Sequence, residues 1–215
     1  MALVVVVDYG MGNLRSVEKA LAHLGTSDVI KISGDPADIA IADKIVFPGQ
    51  GAMPDCMKEL ESRRLIDPIR LAAATKPFLG ICIGLQLLFE RSEEGDVPGL
   101  GLMLGQIRKF SPEKPDAAGV KFKVPHMGWN RVEICRAHPI FEGIDNQEYF
   151  YFVHSYFVEP VVSQTVIGET TYCNSFTSAV AFGNLVAVQF HPEKSQHAGL
   201  KLLSNFLNWD GRWTC

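Results

Sequence analysis

The chain has 215 residues, 47% hydrophobic and 20% charged, with a formal net charge of −4. This is the balance of one globular domain, residues 1–215, with ample core, and its sign gives no electrostatic reason to expect nucleic acid. No apolar run approaches the ~20 residues needed to cross a bilayer. The five cysteines (Cys56, Cys82, Cys135, Cys173, Cys215) are odd in number, scattered and without a CxxC pair. That argues against a disulfide framework or a zinc site and for a reducing cytoplasm.

Met1–Val7 is too short for a secretory core, lacks a basic flank and ends at Asp8, so Leu3–Val7 reads as a first buried strand. Leu14–Leu24 has helical spacing and stops near Gly25. Val29–Ile32 and Lys44–Phe47 read as strands, the second running into Pro48-Gly49. Helical stretches follow near Asp55–Arg63 and Leu65–Ala74, then an apolar strand at Phe78–Ile81, and Leu85–Glu90 reads as the start of a helix. Such alternation predicts an α/β fold with a mainly parallel sheet, helices on both faces and functional residues at the carboxyl ends of its strands. From Gln106 the texture changes to short strand-like runs: Gln106–Phe110, Arg131–Ile134, Glu148–Val153, Val166–Thr170 and Ala179–Phe182. Gly183-Asn184 suits a hairpin turn that returns through Leu185–Phe190, and Gln196–Leu207 is a closing helix. These runs predict an antiparallel extension of the same sheet.

The chemistry concentrates at Gly80-Ile81-Cys82-Ile83-Gly84 and His191-Pro192-Glu193. A cysteine at a strand-to-helix turn with small neighbours is the cysteine version of a nucleophile elbow. Its position at the positive end of a helix favours thiolate. His191 supplies a base, and Glu193 can orient it because alternate residues of an extended segment share a face. Alone, the first fragment would read as a core cysteine and the second as a common tripeptide; on these elements together they predict covalent acyl chemistry. Gly49-Gln50-Gly51 follows a strand and can aim a backbone N–H at an oxyanion, with the Ile83 N–H as a second donor.

Gly10-Met11-Gly12 invites a dinucleotide reading, but Arg15 stands where the third glycine belongs, so NAD is rejected and no cofactor is expected. Asn13 suits either a helix cap or a partner-facing loop. His126 and His154, each taken alone, read as satisfied core histidines, and neither has metal-ligand spacing.

Together these segments resemble the class I, or triad, glutamine amidotransferases, and within them most closely the glutaminase subunits of imidazole glycerol phosphate synthases. The resemblance runs through Asp8–Leu14, Pro48–Gly51, Gly80–Gln86, Pro125–Asn130, Tyr151–Tyr156 and Gln189–Ser195. It implies a flavodoxin-like three-layer sandwich and hydrolysis of L-glutamine to glutamate and ammonia through a Cys82 thioester. His191 then passes the proton to leaving ammonia, Glu193 orients it, and Gln50, Gly51 and Ile83 form the oxyanion hole. Gly49, Gln86, Glu94 and the groups around His154, Ser155 and Tyr156 match substrate-binding positions. A small apolar residue often stands in the family where this chain has Gln50.

The implied partner is a (β/α)8-barrel cyclase forming a heterodimer, which uses the ammonia to make imidazole glycerol phosphate and AICAR in L-histidine biosynthesis. Asn13, Met127, Trp129, Asn130 and Lys194 are the surfaces expected to feel it. A glutaminase for anthranilate or pyridoxal-phosphate synthesis, or a stand-alone γ-glutamyl hydrolase, are the competing readings. The Gln50 N–H is expected to point away from substrate until the partner binds, since flanking glycines tolerate two peptide orientations.

Overall fold

The computed structural model describes residues 1–111 and 122–214; Cys215 lies outside them. The first half runs β1 (Leu3–Val7), α1 (Leu14–His23), β2 (Val29–Ser33), α2 (Pro36–Ile41), β3 (Lys44–Gly49), α3 (Met53–Ser62), α4 (Ile66–Thr75), β4 (Phe78–Cys82) and α5 (Ile83–Gln86). The second continues through β5 (Phe89–Ser92), β6 (Val97–Pro98), β7 (Met103–Lys109), β8 (His126–Ile134), β9 (Glu148–His154), β10 (Tyr156–Pro160), β11 (Val166–Thr171), β12 (Ser175–Phe182), β13 (Leu185–Val188) and α6 (Gln196–Asn208).

Strands β2, β1, β3, β4 and β13 form the parallel core in that order. β12 and β10 extend it antiparallel to β7, and a branch through β11, β8 and β9 leaves β12. β4 and β13 are buried along their whole length, which is why they read as continuous apolar runs. β2 lies at the edge, alternates in exposure and gives the weaker signal. α1 buries Val17, Ala20 and Leu21, an i, i+3, i+4 stripe, and packs against α6, while α2 packs against α4. The parallel core, the antiparallel extension and the Gly183-Asn184 hairpin are all present as expected.

Several elements depart from expectation, among them β6, β10 and a 3₁₀ turn over Pro192–Lys194 that the sequence did not announce. The helix at Leu85–Glu90 is a single turn, Ile83–Gln86, after which the chain enters β5 and pairs in parallel with β7. Leu85, Leu87, Leu88 and Phe89 are all buried, so an unbroken apolar run carried no period to separate helix from strand. The expected macrodipole at Cys82 is therefore replaced by the free N–H groups of one short turn. α2, absent from the sequence reading, is six residues long and buries only Ile39. It is started by Asp35, whose side chain accepts from the Ala37 N–H at 2.8 Å, with Pro36 at its first position. β13, read as the return of an antiparallel hairpin, also runs parallel to β4 and becomes the fifth core strand.

That last pairing positions the site. Register places Gly49 opposite Cys82 on one side of β4 and Val188 opposite Ile81 on the other, so β3, β4 and β13 end level at one edge. Gly84 lets the turn after Cys82 tuck under β3, because a Cβ there would run into the carbonyl oxygen of Phe47. Gly84→Ala is expected to cost about 3 kcal/mol, as overpacking against backbone does, and to lower the melting midpoint by roughly 6–12 °C. Calorimetry of the variant checks this, and a midpoint equal to wild type would contradict the close packing.

Candidate active site

Cys82 has φ 56° and ψ −110°, a strained geometry outside the usual wells for a side-chain-bearing residue. A cysteine tolerates it here because β4 and the first turn of α5 hold both flanks. The twist places the sulfur at the sheet edge, only 4% of the residue being exposed. The N–H groups opening α5, Ile83 among them, surround this bend. Gly49 pairs with Cys82 in the sheet, and Gly51 has φ +104°, so the Gly49-Gln50-Gly51 loop sits beside the sulfur with the backbone freedom expected of it.

His191 follows β13 in extended conformation, with φ −103° and ψ 94°. Its Nδ1 lies 2.8 Å from Oε1 of Glu193, and both side chains are almost wholly buried. The contact fixes the tautomer: a carboxylate accepts, so Nδ1 carries a hydrogen and Nε2 is left to take a proton. Nε2 is buried without a hydrogen-bond partner, as is Oε2 of Glu193. Burial pulls the imidazole pKa down, but the neighbouring Cys82 sulfur, and then Glu193, outweigh it and push His191 up to about 10. The Ser195 hydroxyl donates to the His191 carbonyl at 2.6 Å and accepts from the Tyr151 N–H at 3.0 Å, which pins the loop to β9.

A cavity of about 390 Å³ opens over these groups, lined by Gln50, Gly51, Cys82, Ile83, Gln86, Glu94, Pro125, Val153, His154, Ser155, Tyr156, His191 and Lys194. The size suits a single amino acid. Of the expected substrate positions, all but Gly49 line it; Gly49 lies beneath, close to the buried and unpartnered Tyr9 hydroxyl. Glu94 accepts from the Met53 N–H at 2.8 Å, which ties it to the start of α3. His154 and His126 are both core histidines, as expected, but they satisfy each other: His126 Nδ1 lies 2.9 Å from His154 Nε2. Burial drives both pKa values down, His126 to about 4 and His154 to about 3, so both are neutral at physiological pH.

Asn13, Met127, Trp129 and Asn130 lie outside the cavity. Asn13 occupies the helix-cap position of α1, yet its side chain makes no capping bond. Met127 and Trp129 are 62% and 45% exposed on β8, opposite Val153 and Tyr151 of β9. Lys194 joins the two regions, since it lines the cavity and its Nζ sits 6.0 Å over the Tyr151 ring.

Among the described residues no three His, Cys, Asp or Glu side chains converge to hold a metal ion, and no helix is long and apolar enough to span a membrane. Sequence reasoning assigned no role to Gln189, which is fully buried and donates to the Cys82 sulfur from Nε2 at 3.8 Å. Its alternation with His191 and Glu193 was the available signal.

Comparison with known proteins agrees with this geometry. The family model of class I glutamine amidotransferases matches residues 5–209. The chain is 57% identical over 210 residues to imidazole glycerol phosphate synthase subunit HisH of Aromatoleum aromaticum, covering 97% of this chain and 99% of the relative. It is 54% identical to the same-named subunit of Thiobacillus denitrificans, covering 96% and 91%. The solved structure of PurLQS from Thermotoga maritima has a TM-score of 0.70 over 97% of this chain and 99% of that one; at 19% identity the likeness shows the fold alone. With a matching family model over nearly its full length and relatives above half identity, the chain belongs to the class I glutamine amidotransferase family.

Proposed function

We propose that the chain is the glutaminase subunit of imidazole glycerol phosphate synthase, working in the cytoplasm as one catalytic domain. It hydrolyses L-glutamine to glutamate and ammonia and feeds the ammonia to a (β/α)8-barrel cyclase with which it forms a heterodimer. The observation that carries this reading is the strained Cys82 beside the buried His191–Glu193 pair. The identity to the two HisH relatives supports the choice of pathway. One hydrophobic core running through both halves supports the single domain, and the free thiols of the described cysteines suit a reducing compartment.

In the first step the Cys82 sulfur attacks the side-chain amide carbon of glutamine. Negative charge develops on the carbonyl oxygen, for which the N–H groups of the Gln50–Gly51 loop and of Ile83 are the available donors. The C–N bond then breaks as His191 hands its Nε2 proton to the departing nitrogen, releasing ammonia and leaving a thioester. Water, deprotonated by the now neutral His191, attacks the thioester carbon; glutamate leaves and Cys82 is regenerated. Gln86, Glu94 and the segment His154–Tyr156 hold the amino-acid end of the substrate. The partner docks on the face made by Asn13, Met127, Trp129 and Asn130, with Lys194 between that face and the cavity.

Ammonia released into water is protonated and lost as a nucleophile, so hydrolysis without the partner is wasteful. A Gln50 N–H turned away from substrate removes one oxyanion donor, worth about 10²–10³ in rate. Glutamine hydrolysis is therefore expected to rise by about that factor from the isolated chain to the complex carrying an acceptor analogue. Steady-state assays of the isolated chain, the complex and the liganded complex test it. Equal rates in all three would end the gating mechanism; absence of glutaminase activity in all three would end the functional reading.

A further inference from the structure

Two side-chain amides join the substrate cavity to the nucleophile, and the direction of each is fixed by a backbone carbonyl. The Tyr156 oxygen can only accept. It takes one bond from His154 Nδ1 at 2.8 Å and another from Gln86 Nε2 at 3.0 Å, which uses both lone pairs. Gln86 Nε2 also donates to Gln189 Oε1 at 3.0 Å. Since the amino group of Gln86 is fixed by Tyr156, Gln189 must face it with oxygen. Its own amino group is thereby turned to the Cys82 sulfur at 3.8 Å. The opposite arm is equally determined: His154 Nδ1 carries the hydrogen, so its Nε2 accepts from His126 Nδ1. Gln86 and Gln189 are 2% and 0% exposed, so no water competes for these bonds.

We propose that Gln189 is a catalytic residue of the reaction described above: its amide N–H donates to the Cys82 sulfur and favours the thiolate over the thiol, with Gln86 as the positioning residue that holds the amide in that sense. An N–H cannot accept a hydrogen bond from S–H, so the contact is gained in full only once the proton has left Sγ for His191 Nε2. No bond to Gln189 forms or breaks. Gln86 thus serves two ends, since its amino group is committed to Tyr156 and Gln189 while its Oε1 is used by neither bond.

The inference rests on Cys82 being the nucleophile, and its test reads the sulfur directly. The rate of iodoacetamide alkylation at Cys82 is followed against pH in the full chain, by mass spectrometry of the Cys82 peptide. Gln189→Met keeps the shape and removes the donor, while Gln86→Met leaves Gln189 in place with its orientation free. Gln189→Met is expected to move the pH midpoint of alkylation upward by about one unit and to lower kcat about tenfold, with KM changed less than about threefold, as loss of one weak charge-assisted bond would. Gln86→Met is expected to move the midpoint in the same direction by less, which keeps a test available if the first variant does not fold. A midpoint indistinguishable from wild type in either folded variant would overturn the role of the amide. Glutaminase activity that survives Cys82→Ala would instead remove the reading beneath it, so the two failures are distinct.

Discussion

Cys82→Ala is expected to lower glutamine-dependent turnover by about 10⁴-fold or more, the scale on which loss of a covalent nucleophile is felt. Added ammonium salts should still support the cyclase, because nothing in its own site has changed. The effect is specific to this sulfur for a physical reason. Cys56 is buried with its sulfur directed at the Gln50 carbonyl, and burial pushes its thiol up to about 11. Burial likewise raises Cys135 and Cys173. Each is held as a thiol at neutral pH and is a poor nucleophile. Cys82 alone among the described cysteines shares its pocket with an imidazole whose free nitrogen can take its proton. A glutamine-analogue electrophile is therefore expected to label Cys82 and no other cysteine, Cys215 included; a stable adduct elsewhere with Cys82 untouched would contradict the assignment.

The second large effect separates the base from its orienting group. His191→Ala removes the group that takes and returns the proton, and a loss comparable to that of Cys82→Ala is expected because nucleophile and base act as a unit. Glu193→Gln keeps an acceptor within reach of Nδ1 but gives up the charge that stabilises the imidazolium. Since the pair is almost fully buried, that charge is poorly screened, and a loss of about 10²–10⁴ is expected. The His191 pKa should fall as well, because Glu193 is one of the groups that push it up to about 10. The alkaline limb of the pH–rate profile, where His191 loses the Nε2 proton it must donate, locates the shift. A Glu193→Gln variant as damaged as His191→Ala would require Glu193 to do more than orient.

The members of the proposed triad were legible one at a time, because the signal of each is local. The strand before Cys82 is an unbroken apolar run, and His191 and Glu193 are two residues apart, though a 3₁₀ turn over Pro192–Lys194, and not the extended segment expected, brings the carboxylate back to Nδ1. The parallel order of the first half was legible from short continuous apolar runs alternating with stretches of helical period. What the sequence hid was set by pairing across long separations. Nothing in Phe89–Ser92 announces that it joins β7 and cuts α5 to one turn. Nothing in Leu185–Val188 announces that this strand lies parallel to β4, although that pairing brings His191 to Cys82. The amide chain through Gln86 and Gln189 spans 103 residues of sequence, and its polarity depends on the Tyr156 carbonyl, a backbone atom to which residue identity gives no clue. His126 and His154, sensible core histidines one at a time, reveal themselves as a bonded pair only once β8 and β9 are in register.

Transfer of nitrogen is the most direct test of the whole account. The complex of this chain with its cyclase is supplied with glutamine labelled with ¹⁵N in the side-chain amide, the formimino acceptor, and an excess of unlabelled ammonium at neutral pH. The imidazole product is expected to carry ¹⁵N in nearly every molecule, and the Cys82→Ala complex is expected to make only unlabelled product. Unlabelled product from the wild-type complex, or labelled product from the Cys82→Ala complex, would contradict a glutaminase that works through Cys82 and hands its ammonia to a partner.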